Sequence, residues 1–182
     1  MRVITGIARG RKLKELPGME TRPTTDRVKE SIFNIIQFDV PGRKVLDLFA
    51  GTGQLGVEAL SRGASSAVFV DARKDAANLV RENLKLTGFS ETGRVVQGDA
   101  LAFLRSCKEK FDVIFLDPPY QTTLLDEALS AIAAIDILSK NGIIVCESTA
   151  DRELPALEPP YEKGKDYRYG KIKLTVYRRL PE

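Results

Sequence analysis

The stretch KVLDLFAGTGQLG, residues 44–56, limits the choice of fold more than any other part of the chain. It opens with the apolar run Val45-Leu46-Asp47-Leu48-Phe49, which only Asp47 interrupts. Gly51, Gly53 and Gly56 follow, and then a helix-like pattern over 54–62 with Leu55, Ala59 and Leu60 on one face. This is a buried parallel strand, a tight turn and a helix, the first βα unit of a doubly wound sheet. Gly51 and Gly53 let the backbone turn sharply and approach a ligand, since no Cβ intervenes. The free N–H groups of the helix start then point at whatever binds there.

The glycine spacing also fits a dinucleotide site, so NAD and other nucleoside cofactors both remain open at this point. Asp47 lies inside the strand, where a buried carboxylate needs a partner. A ligand's ammonium would supply one, and so would the amides of the glycine turn itself. Asp117-Pro118-Pro119-Tyr120 ends a later strand, and hydride transfer has no evident use for it.

A chain of 182 residues is read as one domain, 1–182, with a basic extension over 1–40 and a core over 41–182. No apolar run reaches membrane-spanning length, and the first residues lack a signal-peptide h-region. Cys107 and Cys146 are expected to be buried free thiols of a reducing, cytoplasmic compartment, neither a disulfide nor a metal site. The chain has no histidine. That removes the commonest general base, the commonest metal ligand and any Ser-His or Cys-His pair.

The net charge of +3 is unevenly spread. Residues 1–30 carry eight Lys/Arg against four Asp/Glu, residues 161–179 seven against two, and residues 31–160 thirteen against eighteen. Two basic ends around an acidic nucleotide-binding centre favour a polyanionic partner over a merely solvated face.

Residues 2–16 read as a β-hairpin with a basic tip, carrying Arg9, Arg11, Lys12 and Lys14. Arg22 and Arg27 flank the Thr-Thr-Asp run that caps a helix over 25–38. After the central unit, strands are expected at 67–70, 94–97, 111–116 and 142–146, and a closing hairpin at 161–169 and 171–179. Helices fall at 74–87 and 101–107, and a further one carries Leu125, Ala128, Leu129, Ile132 and Ile135. Strands alternating with helices give an α/β fold, an open and mostly parallel sheet with an antiparallel end. Asp71 stands about 20 residues beyond the glycine turn, where an acid accepts from ribose hydroxyls. Asp99 either accepts from an adenine amine or caps the next helix.

The Asp117 side chain and the Pro118 carbonyl can each accept one N–H of an exocyclic amine. Held in plane, that amine turns its lone pair toward an incoming methyl group. Tyr120 offers a ring for the base to stack on, worth ~1–3 kcal/mol, once the base is unstacked or flipped. Orientation and electrostatics carry such a reaction, so histidine is not required.

Asp47-Leu-Phe-Ala-Gly51-Thr-Gly53 followed by Asp117-Pro-Pro-Tyr120 resembles the amino-directed, S-adenosylmethionine-dependent methyltransferases. With MRVITGIARGRKL, RPTTDRVKESIFNII and DLFAGTGQLGVEALSRGA in order, nearly the whole chain resembles the small bacterial 16S rRNA guanine-N2 methyltransferases of the RsmD type. Gln54 departs from the small residue expected there. The resemblance implies a Rossmann-like methyltransferase fold: a seven-stranded, mostly parallel sheet with an antiparallel C-terminal hairpin, plus the small N-terminal hairpin and helix. It implies methyl transfer to N2 of a guanine in 16S rRNA, guanine 966 in that family, or in the assembling 30S subunit. A cytoplasmic monomer without metal or membrane partner is expected.

By the same resemblance Asp47, Phe49, Gly51, Thr52, Gly53, Asp71, Ala72, Asp99 and Ala100 would bind S-adenosylmethionine. Asp117, Pro118, Pro119 and Tyr120 would form the catalytic loop. Arg9, Arg11, Lys12, Lys14, Arg22 and Arg27 would face the RNA. Rival readings are a DNA adenine-N6 methyltransferase, which could use the same loop, an NAD(P)-linked oxidoreductase, and a non-catalytic RNA-binding scaffold.

Overall fold

Side chains alternate between two cores along every central strand, and this alternation organises the molecule. In the computed structural model, which describes residues 1–17, 25–120 and 122–181, Val45, Val113, Phe115, Ile143 and Val145 enter one core. Leu46, Ile114, Leu116, Ile144 and Cys146 enter the other. A sheet buried on both faces needs helices on both.

The strands are β1 (Lys44–Asp47), β2 (Ser66–Asp71), β3 (Gly93–Gln97), β4 (Phe111–Leu116), β5 (Leu138–Thr149), β6 (Tyr161–Tyr169) and β7 (Ile172–Arg179). They form one seven-stranded sheet in the order β3-β2-β1-β4-β5-β7-β6. The first five are parallel, and β7 joins β5 and β6 antiparallel. Strand order reverses between β1 and β4, whose pairing brings Asp47 level with Phe115. That is the point where open α/β sheets bind ligands.

The helices are α1 (Asp26–Ile35), α2 (Gln54–Ser61), α3 (Lys74–Thr87), α4 (Ala100–Ser106) and α5 (Leu124–Ile135). Residues of α1, α2 and α3 fill the first core, and residues of α4 and α5 fill the second. Thr25 caps α1 through its hydroxyl, which accepts the Val28 N–H at 3.2 Å. The helix stops earlier than the expected residue 38. Ile36 leaves helical geometry (φ −109°, ψ 17°), and Asp39 N–H closes a turn onto the Ile36 carbonyl at 2.7 Å.

Other differences from the sequence reading have local causes. The N-terminal segment folds back as expected but is short: Val3 N–H donates to the Arg11 carbonyl, Gly10 N–H to Val3 and Leu13 N–H to Met1, around the antiparallel bridge of Arg2 to Lys12. Other amides go to α2: Ile4 and Thr5 N–H donate to the Glu58 carboxylate at 2.8 and 3.0 Å, and Ile7 N–H to the Ser61 carbonyl. This contact buries every residue of α2 from Leu55 to Ser61. Strand β5 begins four residues earlier than expected because Asn141 takes a left-handed conformation (φ 65°) where the strand register shifts. Cys146 is buried, whereas Cys107, at the C-terminal cap of α4, is only half-buried, with Sγ against the Glu109 carbonyl. Among the described residues no helix is long and apolar enough to cross a membrane.

Candidate active site

Strand β1 delivers Asp47 to the carboxyl rim of the sheet, and the glycine turn begins four residues later. Gly51 and Gly53 both lie at positive φ (58° and 82°), a region that costs other residues strain. Gly53 is the N-cap of α2 but has no side chain to offer the helix's first amides. Asp47 does that work, since its Oδ2 accepts the Gly56 N–H at 3.0 Å. Of the two readings for Asp47, capping is thus realised by one of its oxygens. Asp47 is 2% exposed, and burial pushes its acid up to about 8. The charges of Asp117 and Asp71 push the same way, against the Gly56 hydrogen bond.

Asp71 closes β2 as a clamp. Its Oδ2 accepts the Gly51 N–H and its Oδ1 the Arg73 N–H, both at 2.9 Å. Asp99 caps α4, accepting the Ala102 N–H at 2.9 Å, and its side chain is otherwise exposed at the rim.

These residues line one cavity of about 390 Å³. Asp47, Phe49, Gly51, Thr52, Asp71, Ala72, Asp99 and Ala100 are in its wall, as are Asp117 and Pro119 from the loop after β4. Gly53 is not. A Cβ there would sit 3.1 Å from Val80, so Gly53 serves the packing of α2 on α3. Pro118 and Tyr120 line a smaller neighbouring cleft, which shares Pro119 with the large one and includes Glu147 and Arg152. The Tyr120 hydroxyl donates to Glu147 Oε2 at 2.8 Å.

Among the described residues the cavity wall carries four aspartates, and Arg73, its one guanidinium, is already forked onto Asp75 at 2.7 and 3.0 Å. An acidic wall with little cationic balance suits a cationic ligand that also carries hydroxyl and amine donors. S-adenosylmethionine has these groups, and the volume lies in the range of small-molecule sites.

Of the basic residues, Arg9, Arg11, Lys12, Lys14 and Arg27 are all exposed. Arg11 donates to the Leu86 carbonyl and Lys14 pairs with Glu82 at 3.7 Å, so both lean on α3. Arg22 lies outside the described residues. Sequence reasoning missed Asn83, buried on α3. Its amide donates to the Thr52 and Lys14 carbonyls and accepts the Lys14 N–H, so it ties the glycine turn to the N-terminal segment. It also missed Glu147, which carries no motif, and Met1, which reaches the cavity wall. Among the described residues no cluster of His, Cys, Asp or Glu could hold a metal ion.

Comparison with known proteins places this geometry in a family. The family described as Conserved hypothetical protein 95 matches residues 1–178. The chain belongs to it. It is 41% identical over 182 residues to YlbH of Bacillus subtilis, covering 98% of this chain and 99% of the relative. It is 33% identical over 181 residues to Ribosomal RNA small subunit methyltransferase D of Escherichia coli K12, covering 98% and 90%. The solved structure of the Escherichia coli protein yhhF superimposes with a TM-score of 0.90 at 31% identity, covering 100% of this chain and 99% of that one.

Proposed function

We propose that this protein transfers a methyl group from S-adenosylmethionine to the exocyclic N2 of a guanine in 16S rRNA, within the small ribosomal subunit or its precursor. One observation carries the reading: the glycine turn with Asp71 and Asp99, and the Asp117 loop, line the same cavity from two sides. The relatives named as small-subunit rRNA methyltransferases support the substrate class.

When bound, S-adenosylmethionine supplies an electrophilic methyl carbon on a sulfonium. Asp71 would accept from the ribose hydroxyls, Asp99 from the adenine amine, and Asp47 would face the ammonium. Phe49, Thr52, Ala72 and Ala100 shape the walls between them. Across the cavity Asp117 and the Pro118 carbonyl would each accept one N–H of the target amine, with Pro119 fixing the loop. That leaves the N2 lone pair aimed at the cofactor while Tyr120 stacks on the base. The N2 lone pair would form the new C–N bond as the methyl C–S bond breaks and its electron pair returns to sulfur, leaving S-adenosylhomocysteine, and one N–H proton would pass to solvent. Arg9, Lys12 and Arg27, with Arg11, Lys14 and Arg22, would meet RNA phosphates.

The test is transfer of labelled methyl from S-adenosylmethionine to 30S subunits purified from cells lacking this gene, with duplex DNA in parallel. The modified nucleotide is then mapped by mass spectrometry. One N2-methylguanine in 16S rRNA is expected. Label in DNA alone, or in an adenine, would overturn the reading.

A further inference from the structure

The Asp117 loop suits any exocyclic amine, on guanine, adenine or cytosine, and a second acid, Glu147, follows the register partner of Leu116 on the neighbouring strand. Leu116 of β4 and Cys146 of β5 are register partners on parallel strands. Asp117 follows Leu116 just past the end of β4 and Glu147 follows Cys146 within β5, so the register sets the two acids at neighbouring positions. Glu147 pairs with Leu174, whose side chain lies in the core of α1, α2 and α3, the same core as Phe115. Strand alternation, carried one step past Leu116, brings Asp117 to that face as well. Glu147 is 4% exposed and lines the cleft with Pro118, Pro119 and Tyr120. The Tyr120 hydroxyl donates to the Glu147 Oε2, and a carboxylate can accept several donors at once.

Purine and pyrimidine chemistry gives this pair a meaning. In guanine the N2 amine is flanked by N1–H, so two donors stand next to each other on one edge. In adenine and cytosine the amine is flanked by a ring nitrogen that carries a lone pair. A carboxylate beside the amine-accepting group attracts the first arrangement and repels the second. Repulsion between the carboxylate and that ring lone pair then penalises the wrong edge.

We infer that Glu147 is the specificity residue that reads guanine, by accepting N1–H while Asp117 and Pro118 hold the N2 amine. The inference rests on the amine-binding reading of the Asp117 loop, and it separates a guanine enzyme from an adenine enzyme built on the same four residues.

The experiment uses 30S subunits reconstituted from ligated 16S rRNA that carries guanosine or 2,6-diaminopurine riboside at the methylated position. Both bases have the 2-amine, and only guanosine has N1–H. The wild-type protein is expected to favour guanosine at least about tenfold in kcat/KM. Glu147→Gln is expected to bring the two substrates within about threefold, because its amide can turn an N–H toward the diaminopurine N1. Tyr120→Phe, which removes the hydroxyl bonded to Glu147, is expected to keep the wild-type ratio. A wild-type ratio near one overturns the inference without any variant. So does a Glu147→Gln ratio equal to wild type, or a Tyr120→Phe protein that reproduces the Glu147→Gln change, since Glu147 would then act only through the ring. Guanosine methylation with an unmoved ratio counts against Glu147 alone. Wild-type protein that methylates no guanosine counts against the function itself.

Discussion

The Gly51 N–H donates to Asp71 Oδ2 at 2.9 Å, so the end of β2 holds the turn that follows β1. The same carboxylate takes the Arg73 N–H on its other oxygen. Asp71 is therefore both part of the cavity wall and the clamp that shapes it. Asp71→Ala removes two charge-assisted hydrogen bonds within the protein and the acceptors offered to the ribose. Affinity for S-adenosylhomocysteine is expected to fall at least about tenfold, and stability by about 1–3 kcal/mol. Calorimetric titration and chemical denaturation read the two effects separately. Unchanged affinity would remove Asp71 from the cofactor site.

Asp47 makes cofactor binding depend on pH. Burial holds its acid up to about 8 in the folded protein, with repulsion from Asp117 and Asp71 in the same direction. In the unfolded chain an aspartate ionises near about 3.9. Its contribution to folding is thus fully present below about pH 4 and is lost as pH rises through about 8. A bound ammonium favours the ionised form and draws the proton off. Affinity for S-adenosylhomocysteine is expected to rise between about pH 6 and pH 8, with proton release to the buffer. Titration in two buffers of different ionisation enthalpy measures that release. Asp47→Asn should abolish it, and an affinity that falls over this interval would contradict the role.

Much of this site was legible because strand ends and glycine turns leave local marks. Asp71, Asp99 and Asp117 each stand where an apolar run stops, and β4 starts and ends where the pattern puts it. The partners of those residues were not legible. Glu147 also stands where an apolar run stops, but only the β4–β5 register shows that it neighbours Asp117. Asn83 looks like any polar residue on a helix until Lys14 and Thr52 fold onto it. The N-terminal segment turns back on itself as its alternation suggests, but its docking on α2 was not legible: Glu58 and Ser61 take the amides of Ile4, Thr5 and Ile7, which the pairing leaves over.

Glu58 is the hub that holds this segment on the core. It is fully buried, bonded to Ile4 and Thr5 N–H and to Arg62 Nε at 2.9 Å, and 3.7 Å from the buried ammonium of Lys29. Burial pulls the Lys29 ammonium's pKa down, and Glu58 is the first of the groups that oppose this. Glu58→Ala leaves the buried Lys29 ammonium with the Arg2 carbonyl but no carboxylate in contact, frees two amides at once, and is expected to cost about 3–5 kcal/mol. Lys29→Met leaves Glu58 with Arg62 and both amides, so a smaller loss is expected, about 1–2 kcal/mol. Urea denaturation of both single variants and the double variant gives the coupling. Equal losses for the two single variants would show that the ammonium, not the amides, is the main partner of Glu58.

The exposed cations of the N-terminal segment should act through charge alone. Arg9 and Lys12 are exposed on the segment whose start reaches the cavity wall at Met1. Phosphate contacts release counterions, so each contact contributes about 0.7–0.9 to the slope of log affinity against log salt. Replacing both residues by alanine is expected to lower that slope by about 1–2 for 30S subunits or 16S rRNA and to weaken binding most at low salt. Affinity for S-adenosylhomocysteine should not move, because neither residue lines the cavity. Filter binding across a salt series, beside calorimetry with the free cofactor product, tests both halves. A wild-type slope in the double variant would mean that the rRNA approaches from another side, such as the C-terminal hairpin of β6 and β7, where the second basic cluster lies.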